Sequence, residues 1–339
     1  MIELIPNINV LAQLQCHFSD PDLSKLHTLQ SLWSGYGEIA RYISPRLNNT
    51  FIVKQILPPL KQAEQVHPRG WNTQTGHQRK LQSYQIEANF YRDYASICDE
   101  YCLVPKLLAE FSENQQQILV LQDLDQAGFS LRKEKASIAD VILGIKWLAY
   151  FHVRFLQQDS DDLWPVGTYW HLATRQEELE VMQAGKLKDA AQALDSTLNN
   201  AQFQTLVHGD AKLANFCFPD DNSLGHLAAV DFQYVGRGVG VKDLVYFLGA
   251  CLNQQDLAKH EQTLLDEYFL QFQKALHQYQ IDMDFIHLQH EWRSLYAIAW
   301  ADFYRFLLGW SPGHYKINSY MQTQTDNALA SLYNLFREK

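Results

Sequence analysis

The sequence is poor in cysteine: Cys16, Cys98, Cys102, Cys217 and Cys251 are odd in number and show no CxxC spacing. A disulfide framework and a thiolate zinc site are thereby disfavoured, and the apolar or aromatic neighbours of four of them suggest buried thiols in a reducing compartment. Long hydrophobic runs are missing too. Val141–Leu156 comes nearest, and Lys146, His152 and Arg154 interrupt it, so a spanning helix is not expected. The first residues, MIELIPNINVLAQLQ, carry no basic stretch and no small-residue cleavage site, which makes the cytoplasm the expected location, with no membrane association. Positive charge is in deficit: 28 Lys and Arg stand against 38 Asp and Glu, a formal net charge of −10. That balance disfavours nucleic-acid binding by phosphate neutralisation and fits a cationic or neutral small molecule better. Internal repeats, low-complexity tracts and charge runs are also lacking, and no obligate protein partner is implied. What remains is a 339-residue chain, 47% hydrophobic and 19% charged, long enough for two lobes in one folded unit.

Its organising stretch is LVHGDAKLANFCFPDDNSLGHLAAVDFQYVGRGVGVKDLVYFLGACL, residues 206–252. An apolar lead-in delivers His208, Gly209 and Asp210 into a polar loop. Asn215 follows five residues later, before a short strand around Phe216–Phe218. Asp220, Asp221 and Asn222 read as the turn back, and a returning strand, Leu227–Val230, ends at Asp231 and Phe232. Two carboxylates and a carboxamide are thus expected at one end of a hairpin. Phosphoryl transfer from a nucleotide needs a carboxylate to orient and accept the proton of a hydroxyl, and hard oxygen ligands to hold magnesium on the phosphates. The spacing assigns Asp210 as the base and Asn215 and Asp231 as metal ligands.

HGDAKLAN and VDFQ resemble the catalytic loop and metal motif of the aminoglycoside phosphotransferase and choline kinase superfamily. HPRGWNTQTGHQRKLQSYQIEANFY, upstream, is similar to its CHK or ecdysteroid-kinase-like branch. The resemblance implies an α+β, bilobal protein-kinase-like fold: a five-stranded antiparallel N-lobe with one main helix over residues 1–124, and a mostly helical C-lobe over 125–339. It implies ATP and Mg2+ as cofactors and a small-molecule hydroxyl as acceptor. Lys212 falls where many protein kinases place a lysine on the transferring phosphoryl group; a solvated loop lysine is the other reading. Gly209 stands where protein kinases often carry arginine, Gln233 where DFG has glycine, and no APE-like segment follows. Each departure favours a small-molecule kinase over a protein kinase. A nucleotide-binding pseudokinase regulator, or a plain interaction module built on the helical C-terminal part, stays open as an alternative.

Upstream, residues 1–22 read as a lead-in. Strand patterns at His27–Leu32 and Ile39–Ser44 flank a glycine loop, in which Ser34, Gly35 and Gly37 would let backbone N–H groups approach phosphates, unless the loop is only a turn. Thr50–Ile56 reads as a strand carrying Lys54, and Gln78–Ala95 as a helix carrying Glu87. The kinase reading pairs these two so that the ammonium lies over the nucleotide phosphates; an edge lysine and a solvent-facing glutamate are the plain readings. Val104–Glu110 and Gln117–Leu124 complete the sheet, and Gln122, Asp123 and Leu124 fall where a hinge would offer backbone groups to adenine. His152, on the helical Ile138–Leu156, and His208 are expected to be structural, and Asp243 to cap a helix while tying down the catalytic loop. Residues 256–337 read as helical. There Trp292, Tyr296, Trp300 and Tyr304 recur every four positions, a stripe that is either core or, with Trp170 and Asp302, an aromatic wall for a cationic or sterol-like substrate.

Overall fold

The computed structural model describes residues 9–32, 35–58, 74–221 and 225–337. Ser34, together with residues 67–73 of the upstream motif, lies outside them. The segment expected to be a plain lead-in contains a helix, α1 (Val10–His17), started by Asn9, whose side chain accepts the Ala12 N–H at 3.1 Å. Five strands follow in one antiparallel sheet: β1 (Ser24–Ser31), β2 (Gly37–Ser44), β3 (Asn49–Ile56), β4 (Leu107–Glu113) and β5 (Gln116–Gln122), in the order β1-β2-β3-β5-β4. β4 starts later than its sequence pattern suggests, beyond Pro105, which has no N–H for a ladder.

Alternation along β3 sorts its side chains. Phe51 and Val53 join Val10 and Leu14 of α1 in one apolar cluster, so Lys54, of opposite parity, faces the other side of the sheet. That side is covered by α2 (Gln74–Asn89), which begins four residues before the expected start and passes into a π-helical turn at Phe90–Tyr94. Phe90 stacks on Phe232 with centroids 3.9 Å apart, and the widened turn brings Phe90 and Tyr91 inward together.

The remainder is mainly helical. α3 (Ile138–Arg154) opens with a capping box between Ser137 and Asp140. Short helices α4 (Gln176–Val181), α5 (Lys186–Asp189) and α6 (Ala191–Asn199) lead to two small antiparallel pairs, β6 (Thr205–Val207) with β9 (Gly236–Gly238), and β7 (Phe216–Cys217) with β8 (Ala228–Ala229). Then come α7 (Val241–Cys251), α8 (Gln254–Tyr279), α9 (Phe285–Trp310) and α10 (Ser319–Arg337). Helix α9 is buried nearly all round, which places its aromatic stripe in the main core with Trp147, Phe151 and Trp170. Among the described residues no helix is long and apolar enough to cross a membrane.

Candidate active site

The two small strand pairs set the site. Strand β6 carries the chain into His208-Gly209-Asp210, and β7 leaves just after Asn215. Because Phe216 pairs with Ala229, Asn215 lies across from Val230, whose N–H donates to the Asn215 carbonyl at 3.0 Å. Asp231 is the next residue out, so the β7–β8 register brings Asn215 and Asp231 to the same end.

The loop backbone is anchored from α7. Asp243, fully buried, accepts the His208 N–H at 2.5 Å and the Gly209 N–H at 2.9 Å, and its Oδ2 lies 3.1 Å from His152 Nε2. Asp243 sits inside the first turn of α7, after Gly240 at the cap, so the expected capping role gives way to bonds with the loop. His152 is completely buried and contacts the Tyr268 hydroxyl at 2.7 Å, and His208 Nε2 reaches the Val230 carbonyl at 3.0 Å. Gly209 has φ +78, and a Cβ there would overlap the Tyr234 carbonyl oxygen. That leaves no room for the arginine that protein kinases carry at this point.

Asp210 is held on both oxygens. Oδ1 accepts the Tyr246 hydroxyl at 3.0 Å, and Oδ2 faces Lys212 Nζ at 2.7 Å and Asn215 Nδ2 at 3.2 Å. Asn215 Nδ2 also donates to the Asp210 carbonyl at 2.8 Å, which turns its amide nitrogen inward and leaves its Oδ1 as the atom for a cation. Burial opposes the Lys212 ammonium, but Asp210 and Asp231 outweigh it and raise its pKa.

Across the site, Lys54 Nζ meets Glu87 Oε2 at 2.6 Å and Asp231 Oδ1 at 3.6 Å. Burial works against the Lys54 ammonium; Glu87 and Asp231 more than offset it and hold its pKa above the ordinary value. Glu87 is pushed up to about 7 by burial, with Lys54 opposing. Burial would also raise Asp231, yet Lys54, Lys212 and His208 keep its carboxyl below the usual range. The Asp231 side chain remains 32% exposed, so an ionised oxygen donor is open to the cleft. Its φ of +70 is unusual for a non-glycine residue and marks a locally strained turn at the site.

Gly35 has φ +74 with nothing near its Cβ position, whereas a Cβ on Gly37, at φ +128, would overlap the Gln55 carbonyl oxygen. Tyr36 between them contacts His77 of α2, so the glycine loop rests on the helix that carries Glu87. Gln122 N–H donates to the Lys106 carbonyl at 2.9 Å, and the carbonyls of Asp123 and Leu124 accept from Ala127 at 3.2 Å and Phe129 at 2.9 Å. These backbone groups are engaged within the chain. The Asp123 carboxylate is a brace, paired with Arg41 Nε at 2.7 Å and with the Thr50 hydroxyl at 2.7 Å.

The aromatic wall is corrected. Trp170 is wholly buried, and Trp300 and Asp302 are each 1% exposed. The Trp170 indole donates to Asp302 Oδ2 at 3.1 Å, and Asp302 Oδ1 pairs with Arg305 at 2.8 Å. Periodicity places Trp300 on one face with Trp292, Tyr296 and Tyr304, but every residue of α9 from Ile298 to Leu307 is buried, so Trp300 and Asp302 pack rather than line a cleft. The aromatic residues next to Asp210 are others: Tyr246, then Tyr169 at 5.4 Å from it and Tyr234 at 5.8 Å from Tyr169. Sequence reasoning passed over Tyr234 and Tyr246; Tyr169 stands in the aromatic segment with Trp164 and Trp170, broken by Pro165 and Gly167, whose pattern suggests a loop able to wall a substrate cleft. The one available signal was spacing, since Tyr246 follows Asp243 by one helical turn and shares its face.

Two oxygen donors, Asn215 and Asp231, suit magnesium, which takes one or two carboxylates and completes its shell with water and substrate phosphates. Among the described residues no group of three His, Cys, Asp or Glu side chains forms an all-protein cage.

Comparison with known proteins bears on the fold. The chain matches no curated protein by sequence. It aligns with the structure of choline kinase from Cryptosporidium parvum Iowa II at a TM-score of 0.53 and 11% identity, over 95% of each chain. With a Plasmodium vivax ethanolamine kinase the TM-score is 0.50 at 10% identity, over 94% of this chain and 88% of that one. At such identities the likeness establishes the kinase-like fold. The model of the ecdysteroid kinase-like family matches residues 166–281, the segment holding Asp210, Asn215 and Asp231, and it is this family that the chain resembles there.

Proposed function

We propose that the protein is an ATP-dependent small-molecule kinase that transfers the γ-phosphoryl group to a hydroxyl of its acceptor. The observation that carries this reading is the doubly held Asp210 carboxylate beside the Lys54–Glu87–Asp231 cluster. The names of the structural neighbours, a choline kinase and an ethanolamine kinase, point the same way. The nucleotide lies between an N-lobe of residues 1–124 and a C-lobe of residues 125–339, with the Gly35–Gly37 loop over its phosphates and Gln122–Leu124 beside its base.

Each residue then has a task. Lys54, fixed by Glu87, meets the phosphates as a point charge. Tyr246 and Lys212 orient Asp210, which aligns the acceptor hydroxyl and takes its proton as the oxygen attacks phosphorus. The bond from phosphorus to the β-phosphate oxygen breaks, the bond to the acceptor oxygen forms, and ADP leaves. Lys212 is placed to meet the charge on the group in transit. Mg2+ held by Asn215 and Asp231 would neutralise phosphate charge. Positioning and fixed charge carry such a reaction. The free thiols and the requirement for ATP fit the cytoplasm.

ATP consumption measured across amino alcohols, sugars, hydroxy acids and sterols tests the proposal. Acceptor-dependent ADP release that is lost in Asp210→Asn is the expected result; nucleotide binding without any turnover would overturn it.

A further inference from the structure

The connection between α9 and α10 brings Lys316 under the site. Its ammonium lies 4.4 Å from the centroid of the Tyr246 ring and 5.8 Å from that of Phe303, and Tyr246 is the residue whose hydroxyl holds Asp210. The loop is closed on itself: Lys316 N–H donates to His314 Nδ1 at 3.2 Å, Ile317 N–H to the His314 carbonyl at 2.9 Å, and Asn318 Nδ2 to the Lys316 carbonyl at 3.1 Å. Lys316 is 9% exposed, yet among the described residues its Nζ meets ring faces and no hydrogen-bond acceptor or carboxylate. A buried charge without a counter-ion is expensive unless a ligand supplies one.

The neighbouring groups do not supply it. Cys251 is close enough to feel Lys316, but burial pushes its thiol up to about 12, so it stays neutral. Asp210 favours the Lys316 charge, but from beyond ion-pair distance, and its oxygens are already engaged by Tyr246, Lys212 and Asn215. Farther along the same wall, Arg175 holds Glu178 at 2.9 Å, and Arg79 stands 4.0 Å from that same carboxylate. Tyr234 feels both arginines and Asp210. Arg79, Arg175 and Lys316 thus stand near the Tyr234 and Tyr246 side of Asp210, with Glu177 and Glu178 as the carboxylates that face the two arginines and, among the described residues, none in contact with Lys316. Overall charge suggested a cationic or neutral acceptor; the local arrangement reverses that.

We propose that the acceptor is an alcohol bearing an oxyanion, a carboxylate or a phosphate ester, and that Lys316 binds this anionic group while Tyr246 and Tyr169 flank the carbon skeleton. The assignment rests on the kinase reading for the hydroxyl, and on the buried ammonium alone for the anion. Burial brings the Lys316 ammonium down to about 8, so it remains mostly charged at neutral pH.

The test uses the full chain without nucleotide and three matched probes: 4-(hydroxymethyl)benzoate, 1,4-benzenedimethanol and 4-(hydroxymethyl)benzylamine, with 4-(hydroxymethyl)phenyl phosphate as a second anion. Affinities are read by ligand-observed NMR. One or both anions should bind at least about tenfold more tightly than the alcohol and the amine, the scale of one charge-assisted hydrogen bond. Lys316→Met should abolish the preference and Lys316→Arg should retain it, each checked for folding by thermal unfolding. Equal binding, no binding, a preference for the amine, or a preference that survives Lys316→Met would each overturn the proposal. Which anion binds decides between carboxylate and phosphate. Mg-ATP binding to the unaltered protein, measured separately, isolates the kinase reading: its absence alongside an intact anion preference would sink that reading alone.

Discussion

Tyr246 donates its hydroxyl to Asp210 Oδ1 over 3.0 Å, and it does so from the helix whose preceding turn carries Asp243. One face of α7 therefore fixes both the backbone of the His208–Asp210 loop and the direction of its carboxylate. Trp170 packs 5.0 Å from the Tyr246 ring, so the buried aromatic core beneath the loop supports the aim of Asp210.

Tyr246→Phe tests that relationship. Removing a hydrogen bond to a charged group is worth about 1.5–3 kcal/mol, and here the loss should appear in kcat as a drop of about ten- to a hundredfold, with the KM for ATP nearly unchanged. Steady-state kinetics measure it. An unchanged kcat would show that Lys212 and Asn215 suffice to orient the carboxylate.

Asp210→Asn should be far more severe. The amide keeps the shape but cannot accept the proton, and turnover should fall by about three orders of magnitude or more, on the scale of comparable removals. Mg-ATP binding, followed by calorimetry, should persist, because the proposed nucleotide contacts are those of Lys54, Glu87 and Asp231.

The Lys54–Glu87 contact of 2.6 Å is buried. Glu87→Gln leaves Lys54 with Asp231 alone, 3.6 Å away, and draws the ammonium toward the metal-facing carboxylate. The expected outcome is an increase of about tenfold or more in the KM for ATP, with a smaller change for the acceptor. Equal increases for both would mean that the pair serves only the fold.

The Lys54–Glu87 side of the site was also the more legible from sequence. Alternation along β3 puts Lys54 opposite the apolar Phe51 and Val53, and the spacing of Asp210, Asn215 and Asp231 is local enough for a hairpin to converge them. The surroundings of Asp210 on the Tyr246 side were not legible. Tyr246 lies 36 positions from Asp210, Lys316 lies on a distant connection, and their approach depends on how α7, α9 and α10 pack. The stripe of Trp292, Tyr296, Trp300 and Tyr304, open from sequence between core and substrate wall, is core. Its period was correctly seen, but periodicity reports a shared face without saying whether another helix covers it.

Asp243 should be the residue on which the loop's stability depends most. Its carboxylate accepts from His208 N–H and Gly209 N–H and contacts His152, all within the core. In Asp243→Asn one acceptor oxygen becomes an NH2 group directed at backbone donors, which should destabilise the fold by about 3 kcal/mol. Urea unfolding at neutral pH reads this directly. A loss below about 1 kcal/mol would mean that the loop backbone rearranges to find other acceptors.

Acid sensitivity should arise at His171. Its ring is 9% exposed, and burial, aided by Lys242 and Arg305, brings its pKa down from 6.5 to about 4. Asp195 Oδ1 stands 3.6 Å from Nε2, too far for a hydrogen bond, and burial pushes its own carboxyl upward, so it does not hold the ring protonated. Between these two values the unfolded chain binds a proton that the folded chain excludes. Stability therefore rises with pH across that window: the contribution is complete above about 6.5 and is lost as pH falls toward 4. From pH 7 to pH 5 the loss is about 2 kcal/mol from this residue. His171→Gln removes the titrating group, so the difference between the unfolding free energies from urea titrations at pH 7 and pH 5 should shrink by that amount. If the variant and the parent lose the same stability over that interval, the ring is protonated in the folded protein, and Asp195 must then pair with it.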